Sequence, residues 1–181
     1  MINKTGFAIG LSAMLLVTST AVFAASKTTT IGVSARVSKT CSISTSGGGI
    51  AFGDYDPIGT NATAPLYANG SVSVTCSKGS TGVTIGMDLG QQPLAGQRQM
   101  KGVTGTTPLS YSIFQPPSSI PGAACTNPGT IPWTATGAGL LTLDAALSKE
   151  SRTYNVCGVI PGNQDVTVEA YSDVVTATLN F

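Results

Sequence analysis

The 181-residue chain contains no histidine, and only 9% of its residues are charged. The lack of histidine removes the commonest general base, so neither a Ser–His–Asp nor a Cys–His catalytic site can be built. Histidine is also a principal metal ligand, and the cysteines show no CxxC spacing, which argues against a zinc site. We therefore predict that the chain is not an enzyme and carries no metal or other cofactor.

Long apolar runs are also missing, with one exception near the start. Residues 7–17 are mostly apolar and follow Lys4, and Val22 and Ala24 stand where a signal peptidase requires small or acceptable residues. We predict a secretory signal over residues 1–24; an uncleaved anchor is the alternative. No later stretch approaches the roughly 20 apolar residues of a membrane span.

Charge of either sign is too sparse to attract a charged partner. The chain has nine basic and eight acidic residues, and one basic residue, Lys4, lies in the predicted signal. The remainder is close to neutral, which predicts no nucleic-acid partner and no anionic membrane surface. The length that remains is enough for one domain with a core.

Glycine, serine and threonine dominate the polar positions, and apolar residues alternate with them at the period of a strand. No helical period is visible. About seven to nine short strands at this spacing predict an all-β sandwich. The predicted strands of the sandwich cover residues 41–45, 71–77, 83–89, 98–101, 109–114, 140–149, 152–160, 166–170 and 171–181, and a further predicted strand covers residues 29–38.

The two ends of the predicted domain show the same alternation. The apolar positions near the C-terminus are Val175, Ala177, Leu179 and Phe181, and those near the N-terminus are Ile31, Val33, Ala35 and Val37. A last strand without a returning partner leaves an edge that can pair with another chain. An isolated first segment can supply such a strand, so the two ends predict subunits that complete each other.

Four cysteines, Cys41, Cys76, Cys125 and Cys157, make an even number in a chain predicted to be exported. This combination predicts two disulfides, for which the sequence alone permits three connectivities.

Other motifs are weak. Asp54 and Asp56 could form a carboxylate pair or a calcium site, but aspartates before Pro and Gly commonly initiate turns, and we favour the turn. Asn61 begins an Asn-Ala-Thr glycosylation acceptor. The only tryptophan, Trp133, lies in an irregular stretch rich in proline and glycine.

Several segments, in this order and spacing, resemble the spore coat protein U domain, whose members form the subunits of archaic, Csu-type chaperone–usher pili. They are GSVSVTCSKG at 70–79, RQM at 98–100, LSYSI at 109–113, YNVCGVIPGNQ at 154–164, YSD at 171–173 and TLNF at 178–181. The resemblance covers residues 31–181. One departure is residues 168–170, where the family more often has a glycine.

The resemblance implies an incomplete immunoglobulin-like β-sandwich that a donor strand from a neighbouring subunit completes, a form of β-augmentation. Residues 25–38 would be the donor extension, with Ile31, Val33, Ala35 and Val37 as its inserted side chains, and residues 39–181 the sandwich domain. Val175, Ala177, Leu179 and Phe181 would line the acceptor groove and contact the chaperone. The resemblance also favours the disulfides Cys41–Cys76 and Cys125–Cys157.

The partners implied are neighbouring copies or related pilus subunits, a periplasmic chaperone and an outer-membrane usher. The location implied is the periplasm and then a surface fibre for adhesion and biofilm formation. Our first hypothesis is the major rod subunit, with a minor tip or adaptor subunit as a variant. The alternatives are a secreted carbohydrate-binding sandwich that uses Trp133, and a coat protein that forms no filament.

Overall fold

The structure is a computed structural model that describes residues 23–105 and 107–181. The chain divides into two units, Met1–Arg36 and Val37–Phe181. The described part of the first unit, residues 23–36, contains no helix or strand. The strand predicted over residues 29–38 is therefore absent, because a strand needs a hydrogen-bonded partner and this segment pairs with none. Most of the predicted signal, residues 1–22, lies outside the described residues.

The second unit consists of short strands, as the alternation predicts. Within the described residues they are β1 (Cys41–Ser46), β2 (Leu66–Cys76), β3 (Thr84–Met87), β4 (Arg98–Gly102), β5 (Leu109–Phe114), β6 (Leu141–Thr142), β7 (Arg152–Ile160), β8 (Tyr171–Ser172) and β9 (Ala177–Asn180). Two single turns of 3-10 helix occur at Thr60–Ala62 and Gly137–Gly139. None of the described helices is long and apolar enough to cross a bilayer.

The strands form two antiparallel sheets. The larger has the order β1-β2-β7-β5-β4-β8, and the smaller has the order β6-β3-β9. The longest ladder joins β2 to β7, from Leu66 opposite Ile160 to Val74 opposite Arg152. The predicted all-β class is confirmed, and the arrangement is an immunoglobulin-like sandwich.

The core lies between the sheets and follows the alternation in the sequence. Leu109, Tyr111 and Ile113 of β5 are buried while the residues between them are only partly covered. Trp133 is fully buried, and its Nε1 donates a hydrogen bond of 2.9 Å to the Ile85 carbonyl. The irregular stretch around the tryptophan is thus folded back into the core.

Two glycines allow a loop to lie on the larger sheet. A Cβ at Gly158 of β7 would stand 2.7 Å from Phe52 Cζ, and one at Gly70 of β2 would stand 2.9 Å from Ile50 Cγ1. Both distances are too short for a real side chain, so the loop after β1 packs on bare backbone. Ile50 and Phe52 therefore reach the inner face of the sheet.

Three predicted strands are wrong in detail. Of residues 140–149 only Leu141–Thr142 is a strand, because Leu147 is exposed and the alternation of burial stops after Leu143. Residues 166–170 form no strand. The final strand is not continuous: β8 belongs to the larger sheet and β9 to the smaller one, so the chain changes sheets over residues 173–176.

The structure contains two disulfides. Cys41–Cys76 joins β1 to β2 where these residues face each other in the ladder. Cys125–Cys157 ties the long loop between β5 and β6 to β7. Both bridges link elements of the second unit.

Candidate functional site

An apolar cavity of about 370 Å³ opens between the two sheets of the second unit. Ile50 and Phe52 from the loop after β1 form part of its wall, together with Met87 of β3, Met100 of β4 and Ile113 of β5. Burying apolar surface in such a space is favourable, by about 25 cal/mol per Å². The cavity can therefore accept apolar side chains from outside.

The last strand offers an unpaired edge. β9 pairs with β3 from Thr84 opposite Asn180 to Met87 opposite Ala177, and it is the outermost strand of its sheet. On its other side, no strand of the described residues pairs with it. Its free N–H and C=O groups can template pairing with a further strand. β1 is likewise the outermost strand of the larger sheet.

The four C-terminal residues of the predicted groove differ from one another in how close they lie to the cavity. Val175 and Ala177 line the cavity. Leu179 faces Ile85 in the β3 ladder and packs against the core, but it does not line the cavity. Phe181 follows the last residue of β9 and is 54% exposed. The part of the last strand nearest the cavity is thus its beginning.

The predicted donor residues are exposed in the isolated chain. Ile31, Val33 and Val37 are 84%, 92% and 88% exposed, and Ala35 is exposed as well. Large apolar side chains gain about 1.5–3 kcal/mol each on full burial. Three such side chains at alternate positions therefore form a segment that would gain free energy on pairing with an apolar surface.

A polar cluster beside the cavity was not predicted from the sequence. Arg98 is only 5% exposed, and its guanidinium donates to the carbonyls of Met87, Asp88 and Trp133. Tyr111 donates a hydrogen bond of 2.6 Å to Asp173 Oδ2. The one signal in the sequence was Arg98 itself. It lies two residues before Met100 and so shares the inward face of β4 with it, where a charged side chain needs hydrogen-bonding partners.

Burial sets the electrostatics of this cluster. Desolvation lowers the pKa of Arg98, and Tyr111 with the carboxylates of Asp88 and Asp173 opposes that shift. Desolvation also raises the pKa of Tyr111, as does its hydrogen bond to Asp173, so this hydroxyl remains a donor. For Asp88, burial raises the pKa, but hydrogen bonds from the backbones of Thr176 and Gly90 outweigh it and the net shift is downward.

The remaining sequence candidates have structural roles. Asp56 Oδ1 accepts hydrogen bonds from the N–H groups of Ile58 and Gly59, which is the turn favoured above. Asn61 is buried, and its side chain bonds Asp56 N–H and the Ala64 carbonyl, so it is not an accessible acceptor for a glycan. No group of three potential metal-binding His, Cys, Asp or Glu residues occurs in the described part of the chain.

The fold and the open-edged sheet define an all-β domain of immunoglobulin type. Residues 27–178 match the Spore Coat Protein U domain. The chain is 33% identical over 189 residues to Protein U of Myxococcus xanthus, with 98% of each chain covered. The chain therefore belongs to the Spore Coat Protein U domain family, as the sequence motifs predict.

Among solved structures, the chain is similar to one in the CsuC–CsuE chaperone–tip adhesion subunit pre-assembly complex from archaic chaperone-usher Csu pili of Acinetobacter baumannii. The TM-score is 0.51 at 21% identity, covering 80% of this chain and 40% of that chain. At this identity the likeness shows the fold, and this chain spans well under two thirds of the other. A chaperone–tip adhesin complex of CFA/I fimbriae biogenesis is more distant, with a TM-score of 0.36 and 13% identity over 75% of this chain and 43% of that chain.

Proposed function

We propose that the protein is a structural pilus subunit that polymerises by donor-strand complementation. The observation that carries the proposal is a pair of complementary features in one chain. The second unit has an apolar cavity beside the free edge of β9, and residues 31–37 present exposed apolar side chains at strand spacing. A strand from one copy would satisfy both the edge and the cavity of the next.

The energetics favour exchange between copies. An added strand satisfies the free backbone groups along β9, and its alternate side chains enter the cavity region. In this proposal Ile31, Val33, Ala35 and Val37 of one subunit are the inserted side chains. Val175 and Ala177 of its neighbour are in contact with them, and Leu179 and Phe181 extend the acceptor edge beyond the cavity.

The open edge of β9 could pair with a wrong strand before assembly. We propose that a periplasmic chaperone covers the edge of β9 and the cavity, and that an outer-membrane usher replaces it with the next subunit. The similarity to a chain of a chaperone–subunit complex supports the chaperone as partner. Export to the periplasm and display as a surface fibre for adhesion and biofilm formation follow from this route. The predicted donor segment, with which one copy can complete the next, favours the rod position.

The position of Trp133 argues against the carbohydrate-binding alternative. Trp133 is fully buried and hydrogen-bonded to β3, so it cannot stack on a sugar. A coat protein without a filament would use the same fold, and the test below separates it from a pilus subunit. That the chain is not an enzyme stays a prediction.

The test is a matched pair of substitutions in the donor segment. Val33→Asp places a carboxylate where an apolar side chain would enter the cavity region, whereas Ser34→Asp adds the same charge on the opposite face of the segment. Burying an unpaired charge costs several kcal/mol, more than burying one valine returns. We expect Val33→Asp to abolish fibres in electron micrographs and polymer in size-exclusion chromatography, and Ser34→Asp to retain both.

The folded subunit should tolerate both changes, because residues 33 and 34 lie outside its sheets. Circular dichroism and recovery of the chaperone-bound monomer check this. Fibres formed by Val33→Asp at the wild-type rate, or loss of the monomer's fold in that variant, would contradict the proposal. Wild-type protein that stays monomeric with its chaperone and usher present would instead support the coat-protein role.

A further inference from the structure

The chain changes sheets immediately before the free-edged strand. β8 pairs with β4 in the larger sheet and β9 pairs with β3 in the smaller one. Residues 173–176, which we call the crossover segment, join them and belong to neither ladder. Asp173, Val174 and Val175 of this segment line the cavity. The wall of the cavity is therefore built here without a continuous backbone ladder.

Aspartate side chains, together with the backbone N–H of Asp88, supply hydrogen bonds in place of that ladder. Asp88, just after β3, holds both backbone groups of Thr176: its Oδ1 accepts from Thr176 N–H at 2.9 Å, and its own N–H donates to the Thr176 carbonyl at 3.1 Å. At the other end of the segment, Asp173 Oδ1 accepts from Gln91 N–H at 2.9 Å and from Val174 N–H at 2.8 Å.

Buried groups in turn hold the backbone carbonyl of Asp88 and the carboxylate of Asp173. Arg98 Nη2 and Nε donate to the Asp88 carbonyl at 2.6 and 2.9 Å, and the Tyr111 hydroxyl holds Asp173 Oδ2 at 2.6 Å. Gly90 completes the arrangement, because its φ is +81° and a Cβ there would overlap the Asp173 carboxylate. The loop after β3 is thus shaped to receive the crossover segment.

The crossover segment needs such fixation because its surroundings favour collapse. Val174 is 60% exposed and Val175 only partly buried, and both border an open apolar cavity. Apolar side chains next to an unfilled apolar space gain free energy by moving into it. If the segment were free, its valines could fill the cavity and the first residues of β9 would leave their ladder.

We propose that Asp88 and Asp173 are positioning residues that hold the crossover segment so that the cavity and the edge of β9 stay open for an incoming strand. That a strand is inserted at this edge rests on the proposed function. The fixation of the crossover segment does not depend on it. Both aspartates contact the backbone of the acceptor, and neither needs to contact the donor for this role.

Amide hydrogen exchange on the unassembled full-length mature protein, kept dilute, tests the fixation. Asp88→Ala and Asp173→Ala remove the acceptor oxygens, whereas Asp88→Asn and Asp173→Asn retain an Oδ1 acceptor. We expect exchange in residues 174–180 to become about tenfold faster or more in the alanine variants. The asparagine variants should stay close to wild type, as should Asp165→Ala, which changes an exposed aspartate.

The pattern of exchange separates positioning from general stability. The amides of β2 and β7, the longest ladder, should keep their wild-type rates in every variant. Uniform acceleration along the chain, or unchanged exchange in residues 174–180 of both alanine variants, would overturn the inference.

The second readout is the assembly rate, measured where circular dichroism shows every variant folded. We expect the rate to fall about tenfold in the alanine variants and to recover in the asparagine variants. Locally accelerated exchange with a wild-type assembly rate would refute the positioning role. If Val33→Asp leaves assembly unaffected, the proposed function fails, and the exchange data still decide whether Asp88 and Asp173 fix the segment.

Discussion

Residues 31–37 and residues 175–181 share one alternation of apolar and polar side chains but differ in structure. The later segment contains β9, which pairs with β3, and its Val175, Ala177 and Leu179 pack against the core. The earlier segment has no strand, and its large apolar side chains are exposed. Alternation therefore specifies which face of a strand will be buried, but not whether a partner strand is available in the same chain.

The largest effect is expected when the earlier segment is moved to a position from which it can pair with β9 of its own chain. Removing residues 25–38 and attaching residues 28–38 after Phe181 through a short glycine-rich turn should yield a stable monomer. The transplanted strand can pair with β9 and bury up to three large apolar side chains, each contributing about 1.5–3 kcal/mol. We expect a higher midpoint of thermal unfolding than that of the unassembled wild-type subunit, and no polymer by size-exclusion chromatography.

A matched control for the transplant carries Val33→Asp within the moved segment. It should lose the added stability. Equal unfolding midpoints for the two transplanted proteins would show that the segment does not enter the cavity.

The two faces of the acceptor strand β9 should also differ in their tolerance of a charge. Ala177 lines the cavity, whereas Thr178 is exposed on the other face of β9. Ala177→Asp should prevent assembly because it leaves a carboxylate facing apolar side chains once a strand is added. Thr178→Asp should assemble within a few-fold of the wild-type rate, as followed by light scattering. Similar rates for both variants would place the incoming strand elsewhere.

A smaller effect is expected from the disulfide that ties the long loop between β5 and β6 to β7. Replacing Cys125 and Cys157 by serine opens a loop with a sequence separation of 32. The chain-entropy relation assigns such a loop about 3.5–4 kcal/mol of stability. Chemical denaturation should show a loss of this size, while the transplanted strand still adds stability to the variant. Complete unfolding of the double variant would mean that the loop with Trp133 needs its covalent tie.

The smallest effect is expected from acid, through the attachment of β9. The pKa of Asp88 is lowered from its ordinary value of 3.8: burial raises it, but the hydrogen bonds from Thr176 and Gly90 and the nearby charge of Arg98 outweigh burial. The stability that depends on its carboxylate is therefore complete above about pH 4 and is lost as pH falls through the lower folded-state pKa. Denaturation between pH 5 and 2 should be less pH-dependent in Asp88→Asn than in wild type.

The features of the fold that depend on local alternation could be predicted from the sequence. It predicts β7 over residues 152–160, and it predicts the buried face of β5, because each inward side chain is apolar and each outward one is polar. The alternation also puts Val175 and Ala177 on one face, whereas their role in an acceptor groove is implied only by the family resemblance and stays a prediction. Prediction from alternation failed at residues 173–176, where the alternation continues but the chain passes from one sheet to the other.

The polar cluster could not be predicted for a different reason. Asp88 reaches Thr176 and Asp173 reaches Gln91 across the pairing of β3 with β9, and no local pattern encodes that pairing. The burial of Trp133 could not be predicted either, because its stretch is irregular and rich in glycine, yet it packs this large side chain into the core. Tertiary contacts between distant segments decide both cases.

The pairing of β9 with β3 also has a kinetic consequence. It joins Asn180 to Thr84, which are 96 positions apart, whereas β4 and β5 are joined by a short connection. Contacts between residues far apart in sequence are slow to form, because the entropy of closing the loop is lost before any contact compensates it. The acceptor edge should therefore be among the last parts of the subunit to mature, so a nascent subunit passes through a stage in which it can neither receive a strand nor shield its core.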